Sequence, residues 1–79
     1  MSIGRFESDV DEIWDTALVG RHMREVREAK QISVTEMADI CGVSPARIYL
    51  CESGHQDPSL GLIAKFCHAL RIHPRELFA

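Results

Sequence analysis

The sequence lacks the features that mark membrane, secreted or catalytic proteins. No apolar run approaches the ~20 residues of a membrane-spanning helix. The opening stretch, MSIGRFESDVDEIW, interrupts its apolar residues with acids and does not resemble a signal peptide. Cysteine is sparse. Three residues, an odd number with no paired spacing, argue against a disulfide framework and for a reducing cytoplasm. No segment alternates apolar and polar residues between turn signals, so no strand is expected. There is no internal repeat and no low-complexity stretch. No acid–base pair and no nucleophile constellation can be assembled, so an enzyme is not expected. An excess of positive charge is also missing: the formal net charge is -3.

What is present is enough for one small domain. Hydrophobic residues make up 46% of the 79 residues, and a core of that size is only marginally stable without oligomerisation. The acidity is local. Residues 1–15 hold Glu7, Asp9, Asp11, Glu12 and Asp15 against Arg5, a net of -4; residues 16–79 hold eight Arg/Lys against seven Asp/Glu, a net of +1. The chain therefore divides into an acidic extension, 1–15, and a near-neutral domain, 16–79. A neutral body weakens non-specific attraction to a polyanion without forbidding a specific contact.

Helix punctuation recurs along the chain. Ser8 can cap a short helix, with Asp11 at capping-box distance, and Ile3, Phe6, Val10, Ile13 and Trp14 fall at three- and four-residue spacings. Asp15 or Thr16 can cap the next helix, which carries a Val19, Met23, Val26 stripe and ends near Lys30 or Gln31. Ser33-Val34-Thr35-Glu36 is a capping box opening a helix with Met37, Ala38 and Cys41 inward, and Gly42 ends it. Ser44-Pro45 restarts a helix, with Ile48 and Cys51 inward and Gly54 as its stop. Ser59 caps a helix expected to bury Leu60, Ile63, Phe66, Cys67 and Leu70. His73-Pro74 begins a last short helix with Leu77 and Phe78. The expectation is an all-α bundle of five helices, or six if the first forms separately.

The stretch SVTEMADICGVSPARIYLCESG, Ser33 to Gly54, meets the demands of a helix-turn-helix. Two helices that cross closely need a small residue inside, and Ala38 is small. The bend needs a residue tolerant of positive φ, and Gly42 follows four residues later. The second helix must bury one stripe and leave the other free: Ile48 and Cys51 are inward, Val43 plugs the bend, and Tyr49 and Leu50 are left outside.

With VGRHMREVREAK before this unit and DPSL and HPRELF after it, the segment from about Val19 to Phe78 resembles the lambda-repressor-like, Cro/CI-type (Xre) helix-turn-helix regulators. The resemblance implies a five-helix bundle whose second helix-turn-helix helix lies in the major groove of DNA. Carried onto this chain, Ser44, Pro45, Ala46, Tyr49 and Leu50 would face the bases. Ser33, Val34 (through its backbone N–H), Arg47, Ser53, His55 and Gln56 would face phosphates. Arg27 and Glu52 match a structural ion pair joining the first helix to the end of the recognition helix.

The groove face departs from the family's usual Gln, Arg, Ser or Asn. Only Tyr49 hydrogen-bonds a base edge well, while Ala46 and Leu50 suit a thymine methyl. Val34, His55 and Gln56 stand where Gln, Lys or Arg is common, Asp57 is acidic, and Arg71 replaces a helix-ending Gly. The resemblance implies a sequence-specific, double-stranded-DNA-binding transcriptional regulator, a repressor acting as a homodimer on a two-fold operator, in the cytoplasm. No cofactor and no second, ligand-binding domain are expected.

The alternative is an antitoxin or accessory subunit whose main partner is another protein, engaged through the N-terminal extension, with DNA binding as autoregulation. A helix-turn-helix used only for protein contact is a third reading. The dimer contact falls either on the last helix (Pro74, Leu77, Phe78) or on the N-terminal segment, whose acids can also mask the DNA face. Cys41, Cys51 and Cys67 read as core residues. The Cys51/His55 and Cys67/His68 spacings fit no closed zinc pattern, so no metal is expected.

Overall fold

A computed structural model describes residues 15–78. The helix expected around Ser8 and Asp11 lies outside the described residues. The described chain contains five helices and no strand: α1 Thr16–Ala29, α2 Val34–Cys41, α3 Pro45–Glu52, α4 Leu60–Leu70 and α5 Arg75–Phe78.

Each of the first four helices starts on a side chain that accepts from otherwise unpaired N–H groups, as a helix N-terminus requires. Of the two candidate caps for α1, Asp15 takes the role, accepting from Ala17 and Leu18 at 3.0 and 3.2 Å. The α2 capping box is complete. Glu36 N–H donates to Ser33 Oγ at 3.0 Å, and Ser33 N–H donates to Glu36 Oε1 at 2.9 Å. The Ser33 N–H chiefly, and its hydroxyl next, hold the Glu36 carboxyl below its usual pKa. Ser44 Oγ caps α3 and Ser59 Oγ caps α4, accepting from Arg47 and Leu62.

The first four helices end on the same device, a residue in the left-handed region followed by a back-bond to the last turn. At the end of α3, Gly54 (φ 82) follows the cap Ser53, and His55 N–H reaches Leu50 O at 2.9 Å. Gly42 (φ 70) serves α2, and Val43 N–H reaches Ala38 O at 3.0 Å. Arg71 (φ 57) serves α4, and Ile72 N–H reaches Cys67 O at 3.0 Å. At the end of α1, Gln31 (φ 59) follows the cap Lys30, and Ile32 N–H reaches Arg27 O at 3.2 Å. A non-glycine side chain there costs roughly 1–2 kcal/mol. The Arg71 position was legible from the family's helix-ending Gly; at Gln31 the sequence marked the helix end but not its left-handed turn.

The helices enclose one core containing Val19, Met23, Met37, Ala38, Cys41, Ile48, Cys51, Leu62, Ile63, Phe66, Cys67, Leu70 and Leu77. Helix α3 packs on both α1 and α2, α4 packs on α2, and α5 packs on α1. All three cysteines are free and buried, and burial pushes each thiol pKa up.

Two expectations need correction. Leu60 is not inward: it is 76% exposed, and Leu62 takes the buried place. Leu60 has the right angular position but stands at the first residue of α4, where no described element covers it. Leu77 is fully buried in this chain's own core and so is not available to a dimer contact through the last helix. Of that proposed contact, Pro74 remains exposed and Phe78 half-buried.

Candidate nucleic-acid interface

The geometry around α3 begins with its inner side. Ile48, Cys51 and Glu52 are buried, three and four residues apart, so the opposite face must look outward. Pro45, Ala46, Tyr49 and Leu50 lie on it, all exposed, Tyr49 at 64% and Leu50 at 39%. Ser44, at the start of the helix, is exposed too, although its hydroxyl is engaged by the Arg47 N–H. The five residues assigned to bases therefore share one open surface.

The residues assigned to phosphates are more varied. Val34 stands at the first position of α2, where no preceding helical turn offers its N–H an acceptor. Its neighbour Ser33 is exposed but committed to the capping box. Ser53 Oγ donates to Leu50 O at 3.2 Å and lies 2.9 Å from His55 Nδ1, which joins the end of α3 to the following loop. His55 and Gln56 are exposed, and both their N–H groups bond back to Leu50 O, at 2.9 and 3.2 Å. Arg47 differs from the free arm that its position suggests. It is half-buried, its guanidinium lies against the Cys51 thiol, and its buried Nε has no hydrogen-bond partner among the described residues.

Three contacts fix how α3 is presented. Arg27 on α1 grips Glu52, the last residue of α3, through Nε–Oε2 at 2.7 Å and Nη2–Oε1 at 3.0 Å. Its Nη1 also donates to Ile32 O at 2.7 Å, so one guanidinium ties α1, the turn before α2 and the end of α3. The Glu52 hydrogen bond chiefly raises the Arg27 pKa against the opposing effect of burial.

The second contact is Gly20, buried in α1. A Cβ there would overlap the Cys51 carbonyl oxygen and come within 2.8 Å of that of Glu52. The last turn of α3 thus lies directly on the α1 backbone. The third contact joins the start of α1 to the loop after α3. Thr16 Oγ1 donates to Asp57 Oδ1, and a Cβ on Gly54 (φ 82) would meet Ala17 Cα at 3.0 Å. Asp57, read from sequence as an acid in the loop and as the first residue of the family-like DPSL stretch, is an anchor for that loop.

Gly20, Thr16–Asp57 and the 2.9 Å contact of His22 Nδ1 with Leu77 O, which ties α5 to α1, were all missed in the sequence. A glycine inside a helical stripe was the only available signal, since mid-helix glycine is costly unless a neighbour needs the space. Among the described residues no cluster of His, Cys, Asp or Glu is arranged to hold a metal ion. No described helix is long and apolar enough to cross a membrane.

A two-helix unit with a tight glycine bend, an anchored second helix and an exposed outward face defines a helix-turn-helix module. The helix-turn-helix domain family matches residues 18–79, and the chain belongs to that family, in its Cro/CI (Xre) type. Solved structures agree. The restriction-modification controller protein C.AhdI from Aeromonas hydrophila is similar at 38% identity and a TM-score of 0.77, over 81% of this chain and 97% of that one. The clp gene regulator ClgR from Corynebacterium glutamicum matches at 28% identity and 0.77, over 81% of this chain and 68% of that one. A hypothetical transcription factor, NHTF, from Neisseria matches at 28% identity and 0.76, over 87% and 79%. No curated protein matches the chain significantly. The protein is a DNA-binding transcription regulator of the helix-turn-helix class.

Proposed function

We propose that the protein is a repressor that binds a two-fold operator as a homodimer, with α3 of each subunit in the major groove. The observation that carries this reading is the outward face of α3, where Pro45, Ala46, Tyr49 and Leu50 are exposed beside a buried Ile48/Cys51 stripe. Tyr49 reads a base edge, and Ala46 and Leu50 contact thymine methyls. Around this face the Val34 N–H and the residues Ser33, Ser53, His55, Gln56 and Arg47 meet phosphates, fixing register without reading sequence. Half-sites then lie about one helical turn, ~34 Å, apart. The likeness to C.AhdI along 97% of its length supports a regulator whose work is done by a domain of this kind. Such a protein works in the cytoplasm and needs no cofactor.

The test is capture of genomic fragments from the source organism on the purified protein, at low and moderate salt, followed by sequencing. Enrichment of a few two-fold-symmetric sites upstream of genes is expected. No enrichment at either salt would overturn the DNA reading in favour of a protein partner.

A further inference from the structure

The chain enters the domain at the edge of the proposed DNA face. Thr16 bonds Asp57 and Ala17 lies against Gly54, so residue 15 sits beside the loop that carries His55 and Gln56. Everything before it therefore starts next to the end of α3. Residues 1–14 carry four acids (Glu7, Asp9, Asp11, Glu12) against Arg5, a net charge of -3. Beside bound DNA that charge is repelled by the phosphates. The same residues carry Ile3, Phe6, Val10, Ile13 and Trp14 at three- and four-residue spacings, a large apolar load to leave in water.

The face they start beside has the complementary character. Four large hydrophobic side chains are exposed among the described residues, and two of them, Tyr49 and Leu50, are adjacent on α3 with Ala46 and Pro45 next to them. The single cation of α3, Arg47, leaves its Nε without a partner. Distance is no obstacle. Even at the ~1.5 Å rise per residue of a helix, residues 1–14 span roughly 21 Å, whereas the eight residues of α3 span roughly 12 Å.

Resting on the assignment of α3 to DNA, we infer that residues 1–14 dock on the outward face of α3 in the same chain. Trp14 covers Tyr49 and Leu50, and the acids occupy the space of the phosphates. The segment and DNA compete for one surface. Free protein is masked, and duplex binding displaces the segment. The occupant is the chain's own acidic segment rather than a second copy because it is tethered beside the face, which raises its local concentration there.

Trp14 is the only tryptophan in the chain and reports on this directly. Acrylamide quenching of Trp14 in the full chain is compared with the full-length variant carrying Tyr49→Ala and Leu50→Ala, with helical circular dichroism as the check on folding. Quenching of the wild type is repeated across a dilution series and with saturating mixed-sequence duplex at low salt, whose binding is followed separately by anisotropy of a labelled duplex. Docking predicts a shielded Trp14 in the wild type, independent of dilution, and exposure both in the variant and on duplex binding. Equal quenching in wild type and variant, or duplex binding that leaves Trp14 shielded, overturns the docking while the DNA reading stands. Shielding that is lost on dilution moves the segment to a second copy and overturns the intrachain contact. The wild-type duplex arm decides even if the variant fails to fold. No duplex binding by either protein, with Trp14 shielded in the wild type and exposed in the variant, overturns the DNA reading and reduces the mask to a structural contact.

Discussion

Arg27 and Glu52, twenty-five residues apart in sequence, form a two-point ion pair at 2.7 and 3.0 Å that is almost closed to solvent. It joins the helix entering the domain to the last residue of the outward-facing helix. Arg27 is also spent on the Ile32 carbonyl, so the pair sets the angle at which α3 is offered.

Breaking one side of this pair leaves a buried charge without a partner. Glu52→Ala should therefore destabilise by about 3 kcal/mol or more. That is a large part of the roughly 4–12 kcal/mol available to a chain of this length. The double replacement Arg27→Met with Glu52→Leu should recover most of the loss, since both charges go together. Thermal unfolding of the three proteins checks this. An unchanged melting temperature for Glu52→Ala would show that the pair bears no load.

Gly20→Ala separates two opposed effects. Alanine inside a helix gains about 1 kcal/mol over glycine. The added Cβ meets carbonyl oxygens of the α3 backbone, which cannot swing aside as a side chain does. Overpacking of this kind costs about 1–3 kcal/mol or more. The expected result is net destabilisation with weaker duplex binding, because α3 must shift off α1. A stabilised Gly20→Ala protein would contradict the close approach.

Tyr49→Ala and Leu50→Ala, made singly, should leave folding within about 0.5 kcal/mol of wild type, as both side chains are on the surface. Binding to a selected operator should fall about tenfold relative to random duplex in each. Competition titrations against random duplex separate the two. A uniform loss on both DNAs would assign these residues to positioning rather than reading.

Salt dependence should be shallow. Each neutralised phosphate contributes about -0.9 to the slope of log affinity against log salt, and the proposed phosphate contacts include only one permanent cation, half-buried Arg47. His55→Lys places a full charge on the loop beside α3 and should steepen the slope by about 1 while raising affinity at low salt. A steep slope in the wild type, or none gained by His55→Lys, would place the phosphates elsewhere.

By itself the sequence determined the helices and the module they form. Capping chemistry acts over three or four residues, so Ser33 with Glu36, Ser44 with Pro45, and Gly42 announce their helix boundaries locally. The inward places of Met37, Ala38, Cys41, Ile48 and Cys51 follow from the 3.6-residue period in the same way. The resemblance carried by these residues also pointed to Arg27 and Glu52 as partners. Tertiary structure alone decided what depends on which element lies opposite. Leu60 has a core residue's phase but stands at a helix start with nothing over it. Leu77, offered to a second subunit, is closed inside its own chain. Gly20 is a glycine because the end of α3 rests on it, and Asp57 is an acid because Thr16, forty-one residues away, donates to it. Periodicity gives the angle of a side chain about its own helix axis. It carries no information on where along that axis a neighbour begins and ends, and that position fixes burial at helix ends and the close contacts between helices.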